Sequence, residues 1–251
     1  MPKGRFAQLT SWSYSVYTQY VKCPFSVCLD KILRVRIEEP DNPHFAKGNW
    51  AHDIAERFVS GVGRKPPLSA NVVLPGDKEP TRLSVESISA KLEELRGMKP
   101  RTEQELAFDR KWNQVDWRDW KTAWLRMKMD VCADSTEPPA VEIIDWKTGK
   151  VHQEHRQQRS LYGLGGLQLV QIGSLAGGSK DVKLTASHIY IDTGQTATEA
   201  FTMKDLAPLK REWLRRIERM MTDTEFKTKV GDHCCWCKYA KSKGGPCPEK
   251  R

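Results

Sequence analysis

The segment AVEIIDWKTGK holds a carboxylate and an ammonium two residues apart, Asp145 and Lys147, at the end of an apolar run dense in Val and Ile. Side chains two apart on a strand share a face, so both groups project to one side of the strand end. Fourteen residues lie between Asp145 and Asp130, and they include a turn-rich stretch, DSTEPP. Before it, Leu125, Met127, Met129 and Val131 alternate with Arg126, Lys128 and Asp130; after it, Ala140 to Trp146 reads as a second strand. Paired as a hairpin, the two strands bring both carboxylates to one end, and two hard oxygen ligands close together suit Mg2+ or Mn2+. Such an ion polarises a phosphate, acidifies a bound water and stabilises the leaving oxygen, while a nearby Lys positions that water or steadies the developing charge. Phosphodiester chemistry is the expectation. The same residues also describe a surface ion pair and two acids capping a hairpin turn.

A second cluster is built of thiols. Cys234 and Cys237 form a C-x2-C pair with Cys247 ten residues later, a spacing that lets three thiolates reach one metal, and Cys23 follows the first predicted helix. Seven cysteines is an odd number, and MPKGRFAQLTSWS shows no apolar h-region, so neither secretion nor a disulfide framework is expected. Cys235 is an additional thiol, and the isolated Cys28 and Cys132 read as small hydrophobes.

The elements that must position these groups follow from periodicity. Helices are predicted from about Ser13, a capping residue, to Ile32 with an interruption at Pro24, from Lys47 to Ser60, and from Ser84 to Arg96. The second carries Trp50, Ile54 and Phe58 as its apolar stripe, with His52 and Glu56 on another face. Between it and the third, GVGRKPPLSANVVLPGDKEP reads as a surface stretch. The period turns toward 2 from Glu103, where Leu106 and Phe108 alternate with Glu105, Ala107 and Asp109. Downstream come a helix from Gln153 to Leu169, a hairpin of HIYID and QTATEAFT about Thr193 and Gly194, and a helix from Leu206 to Met221. That last helix has Leu206, Leu209, Trp213, Ile217 and Met220 on one face and Arg211, Arg215 and Arg219 on another, a stripe that serves either as a solvated face or as a DNA contact.

With 251 residues, one domain or one domain with a small appendage is expected. The hydrophobic 39% and 17 glycines together give the ordinary globular range, which excludes global disorder. The apolar stretch from Leu161 to Val170 is broken by Gly163, Gly165, Gly166 and Gln168 and falls far short of the roughly 20 residues a membrane helix needs, so a cytoplasmic setting is expected. A formal charge of +9 suits a polyanionic partner. Thirteen basic and seven acidic residues lie between Met203 and Arg251, so +6 of that excess sits at the C-terminal end. In DRKWNQVDWRDWKTAWLRMK, Trp112, Trp117, Trp120 and Trp124 interleave with Arg110, Lys111, Arg118, Lys121 and Arg126. Single-strand binders combine stacking rings and cations in this way, and tryptophans in a core give the same spacing.

Five short motifs stand in order: SWSYSVYTQYVKCP from Ser11, GNWAH from Gly48 to His52, RMKMD from Arg126 to Asp130, DWKTGK from Asp145 to Lys150, and QRSLY from Gln158 to Tyr162. Together they resemble the PD-(D/E)XK nuclease superfamily, in particular its RecB-type exonuclease branch, and the Trp213 helix and the cysteines extend the resemblance to about residue 247. The resemblance implies that His52, Asp130 and Asp145 are metal ligands, joined by the backbone carbonyl of Trp146. It implies that Lys147 orients or activates the water, and that Gln158 and Tyr162 support the site or touch the substrate strand. Many relatives also carry a carboxylate on the preceding strand, a place that Glu105 would fill here with Glu103 as its competitor. One departure is Met127, where relatives often have Gly three residues before the first Asp. Cys23 with Cys234, Cys237 and Cys247 resembles the one-plus-three arrangement of iron-sulfur nucleases of the same superfamily, the CRISPR-adaptation and AddB-type enzymes. There a 4Fe-4S cluster staples the chain ends; zinc or no metal are the alternatives here, because the last spacing is longer and Cys235 could compete.

The fold expected is α/β, restriction-endonuclease-like, with a mixed central sheet flanked by helices, the catalytic hairpin at its centre and the cysteine module beside the N-terminal helix. It is a single domain over 1–251, with a helical part over 1–100, a catalytic core over 101–205 and a basic helix plus cysteine module over 206–251. The function expected is a Mg2+- or Mn2+-dependent exonuclease acting on DNA ends or single strands, similar to stand-alone bacteriophage members and serving DNA processing or recombination. The alternatives are a non-catalytic DNA-binding or scaffold subunit that keeps the fold, and a DNA-trimming component of a larger complex with recombination or replication partners.

Overall fold

The period-2 stretches that begin after residue 100 form one six-stranded sheet, and the helical stretches cover both of its faces. The computed structural model describes residues 5–38, 41–151 and 154–249. In chain order the elements are α1 (Tyr14–Lys22), α2 (Pro24–Val27), α3 (Pro43–Val59), β1 (Ser69–Val72), β2 (Thr81–Ser84), α4 (Ser89–Met98), β3 (Arg101–Phe108) and β4 (Gln114–Val115). They continue with β5 (Leu125–Thr136), β6 (Pro139–Lys147), α5 (His155–Gln171), β7 (Lys183–Tyr190), β8 (Gln195–Phe201) and α6 (Leu206–Thr222). Among the described residues no helix is long and apolar enough to cross a membrane.

The large sheet has the order β4-β3-β5-β6-β7-β8, which puts the β5–β6 hairpin at its centre. Among the described strands of this sheet only β6 and β7 pair in parallel, and a parallel pair needs a crossover, which α5 supplies. The larger core holds α1, α5, α6 and one sheet face; the smaller one packs Ile54, Phe58, Leu92 and Leu95 from α3 and α4 on Val131, Ile144, Trp146 and Ile189. Ser13 caps α1, its Oγ accepting from Val16 N–H at 3.3 Å. Cys23 is extended and Pro24 opens α2, so the expected long first helix is broken there and ends in a π-helical turn over Cys28–Ile32. The second helix begins earlier than expected because Asn42 caps it by accepting from His44 N–H at 2.9 Å, with Pro43 in the first turn.

Three expectations are corrected. The surface stretch after α3 contains the strand β1, which pairs with β2 just beyond the stretch, and a 3-10 turn over Glu86–Ile88 delays α4 to Ser89. The DSTEPP turn shrinks because ladder pairing continues to Thr136 opposite Pro139. Helix α5 begins at His155; its expected first residue, Gln153, lies outside the described residues. All five residues of the apolar stripe of α6 are buried, while Arg211, Arg215 and Arg219 are exposed.

Glycines let α5 sit unusually close to the sheet. A Cβ on Gly166 would stand 2.5 Å from Leu184 Cδ1 and 2.6 Å from Ile143 Cδ1, and one on Gly165 would meet the Met127 sulfur. Met127 therefore occupies the room that a helix glycine opens, which accounts for a bulky side chain at that position. Replacing Gly166 with Ala is expected to destabilise the fold by about 1–3 kcal/mol, overpacking outweighing the gain in helix propensity, as read from urea unfolding.

Candidate active site

The register Val131↔Ile144 of the central hairpin continues to place Asp130 beside Asp145, and Trp146 N–H donates to Asp130 Oδ2 at 2.8 Å. Side-chain alternation slips by one at this point. Leu125, Met127, Met129 and Cys132 all join the core under α5, whereas Val131 joins the core under α3. Asp130, on the opposite face from Met129, points toward α3, where His52 Nδ1 lies 3.3 Å from Asp130 Oδ2, and the slip brings Val131 onto the same face. From the other face α5 supplies Tyr162, whose hydroxyl donates to Asp145 Oδ1 at 2.6 Å. Gln158 Nε2 donates to the Tyr162 oxygen at 2.8 Å and reaches Asp145 Oδ1 at 3.4 Å. Lys147 makes an ion pair with Asp145 Oδ2. The structure thus brings His52, Asp130, Asp145, Lys147, Gln158 and Tyr162 together from four elements.

Two further groups belong to this assembly. His188 stands opposite Asp145 in the parallel register, with its Nε2 3.6 Å from Asp145 Oδ2 and its Nδ1 3.2 Å from the Arg159 guanidinium. Glu103 has a left-handed backbone, φ 50°, pairs with Lys128, and lines a cavity of about 420 Å3 with His52 and Asp130. Glu105 is exposed opposite Lys128, two residues along β5 from Asp130, so Glu103 is the carboxylate of β3 that reaches the site. Sequence periodicity carried no sign of the left-handed residue that re-aims this strand. For His188 the signal was its place in an apolar strand pattern, but its register with Asp145 spans a crossover.

Burial pushes the Asp130 carboxyl up to about 8, and the charge of Asp145 adds to the rise; the Trp146 N–H and Lys147 pull the other way. Burial likewise lowers His52 and takes His188 down to about 3, so both imidazoles are neutral near pH 7, the form that binds a metal. Burial drives the Tyr162 phenol well up, which keeps it a hydrogen-bond donor. Asp145 Oδ2 and His188 Nε2 are buried and make no hydrogen bond among the described residues. Two crowded carboxylates, one of them facing only the Lys147 ammonium and an imidazole through its inner oxygen, fit a divalent cation, which would relieve the crowding of charge. Among the described residues no three His, Cys, Asp or Glu side chains form a metal-holding group. Mg2+ tolerates this, since it is commonly held by one or two carboxylates and keeps several waters.

The site opens into a cavity of about 770 Å3 that runs past Ser13, Trp117, Trp120 and Lys128. Elsewhere, Cys23, Cys234, Cys237 and Cys247 line one small cavity of about 30 Å3 beside α1, all of them as free thiols. Burial raises the Cys237 and Cys247 thiols. These cysteines gather as the spacing suggested, but no three of them are set as metal ligands.

Among solved structures, that of the protein SSO0001 aligns with 98% of this chain and 89% of its own, at a TM-score of 0.42 and 14% identity. No curated protein matches the chain significantly. The family model of the PD-(D/E)XK nuclease superfamily matches residues 11–242, nearly the whole length, and the chain therefore belongs to that superfamily, whose members are usually metal-dependent nucleases.

Proposed function

We propose that this chain is a Mg2+- or Mn2+-dependent DNA nuclease of the RecB-type branch, an exonuclease working on DNA ends or single strands in DNA processing or recombination. The observation that carries the reading is the central hairpin, which sets Asp130 against Asp145 with Lys147 on the latter, at the floor of a cation-lined cavity. Asp130 and Asp145, with the Trp146 carbonyl and His52, would hold the ion, which supplies polarisation of the phosphate and an acidified water. Tyr162 and Gln158 donate to one Asp145 oxygen and so orient the other. The Trp146 N–H does the same for Asp130. Lys147 places its ammonium beside the reacting phosphate, where it steadies the water or the developing charge. The motif order supports the branch, and the style of the C-terminal tail supports a bacteriophage source acting in the host cytoplasm.

The test uses end-labelled single- and double-stranded DNA with Mg2+, Mn2+ or EDTA, alongside Asp130→Ala. Metal-dependent loss of label in the wild type alone is the expected result, and linear against circular substrates reads exonuclease against endonuclease action. Retention of DNA without cleavage under every condition overturns the reading in favour of a binding subunit.

The four gathered cysteines would hold a 4Fe-4S cluster, with Zn2+ as the alternative, tying the C-terminal module to α1. The donor set suits it: four free thiols about one small cavity. Protein purified without oxygen is expected to carry iron and sulfide with a visible absorbance band. Cys237→Ser is expected to lose both and to melt at a lower temperature. Unchanged metal content in that variant rules the cluster out.

A further inference from the structure

Of the four tryptophans that interleave with basic residues, Trp112 and Trp124 are buried and Trp117 is half-buried, whereas Trp120 is 74% exposed. Core packing therefore accounts for two of them and leaves Trp120 unexplained. Its loop is held rigidly. Asp116 Oδ1 accepts from Arg118 N–H at 2.6 Å, and Asp119 Oδ1 accepts from Lys121 N–H at 3.0 Å and Thr122 N–H at 3.2 Å. Arg126, itself only 8% exposed, donates to the Trp117 carbonyl at 3.1 Å and the Asp119 carbonyl at 3.3 Å. Its guanidinium sits 4.2 Å from the centre of the Trp120 ring. One face of the indole is thus backed by a fixed cation, and the other is bare.

The bare ring lines the same cavity as Asp130 and Asp145. Lys31, Arg34, Arg126 and Lys128 also line it, and the two site aspartates are the only carboxylates among the described lining residues. Arg126, Lys128 and Asp130 succeed one another on β5, so the platform and the site are about 13 Å apart along the strand. That is roughly two to four nucleotides, depending on how far a single strand is drawn out. A flat ring with a cation behind it, at the edge of a basic groove, recognises a nucleobase by stacking, and a base inside a duplex offers no free face.

We infer that Trp120, backed by Arg126, is a stacking subsite for an unpaired base two to four nucleotides from the scissile phosphate. The inference rests on the nuclease reading and names its substrate as single-stranded. Binding of a labelled oligonucleotide in EDTA, followed by fluorescence anisotropy, reads the platform apart from cleavage. Trp120→Ala is expected to weaken single-strand affinity about 5- to 100-fold and blunt-duplex affinity less than about twofold, and Trp120→Phe to restore most of the loss. With Mg2+ added, an abasic site scanned along the strand is expected to raise KM at one position in the wild type and to add nothing in Trp120→Ala. Equal single-strand affinity of wild type and Trp120→Ala overturns the inference, as does an abasic penalty of the same size in both proteins. A wild type that shows the binding pattern yet cleaves with neither Mg2+ nor Mn2+ supports the stacking subsite and overturns the nuclease reading alone.

Discussion

Asp145→Asn is expected to lower kcat/KM for metal-dependent DNA cleavage by about 10^3-fold or more, roughly 4 kcal/mol of transition-state stabilisation, while leaving the chain folded. Both oxygens of this carboxylate are committed. Oδ1 accepts from Tyr162 and Gln158, and Oδ2 faces Lys147 and His188. An amide keeps the shape but removes the charge that anchors a cation, and it turns an N–H2 toward either a phenol donor or an ammonium. Lys147→Ala leaves both carboxylates in place and is expected to cost about 10^2-fold, mostly in kcat. Single-turnover rates on labelled DNA, with urea unfolding as the folding control, check both. Undiminished cleavage by Asp145→Asn means that the chemistry is elsewhere.

Without a divalent cation the same crowding should show as instability at alkaline pH. An ordinary aspartate ionises near 3.9, whereas Asp130 in the fold is raised to about 8 by burial and by Asp145. Between those values the native chain keeps a proton that the unfolded chain has released, so this group's contribution is full below about pH 4 and is lost as pH rises to about 8. Each unit is worth about 1.4 kcal/mol, and the open cavity admits water, so the expected loss between about pH 5 and pH 8.5 is about 2–4 kcal/mol. Urea unfolding in EDTA is expected to show this loss in the wild type and not in Asp130→Asn, and Mg2+ should restore the wild type at the higher pH. Parallel pH curves for the two proteins would sink the idea that Asp130 is strained by its neighbour.

What was legible in the sequence is what local patterning controls. The alternation about Asp130, the Val- and Ile-rich run into Asp145 and the turn between them led directly to the central hairpin, and the α6 stripe led to a buried helix face. The choice between Glu105 and Glu103 stayed open in the sequence because residues two apart share a strand face, and only the register against β5 and the left-handed backbone at Glu103 show which lies beside Asp130. His188 went unnoticed because its neighbour Asp145 lies across a parallel pairing, where register depends on how α5 packs rather than on a turn. The tryptophan run illustrates a different limit. No period in the run sets the buried Trp112 and Trp124 apart from the exposed Trp120, and only the tertiary fold separates core from groove.

The topology of the site also dictates an order of assembly. The β5–β6 hairpin closes across Glu137 and Pro138, a short loop with little closure entropy to overcome. His188 reaches Asp145 only after the whole crossover through α5 has folded back, and His52 joins from a helix far upstream of β5. Such distant pairings form slowly and late. A refolding chain can therefore own the hairpin with its two aspartates well before it owns the pocket around them. An ion that needs the finished surroundings will select completed molecules, acting on the last kinetic step and on the lifetime of the native state rather than guiding collapse.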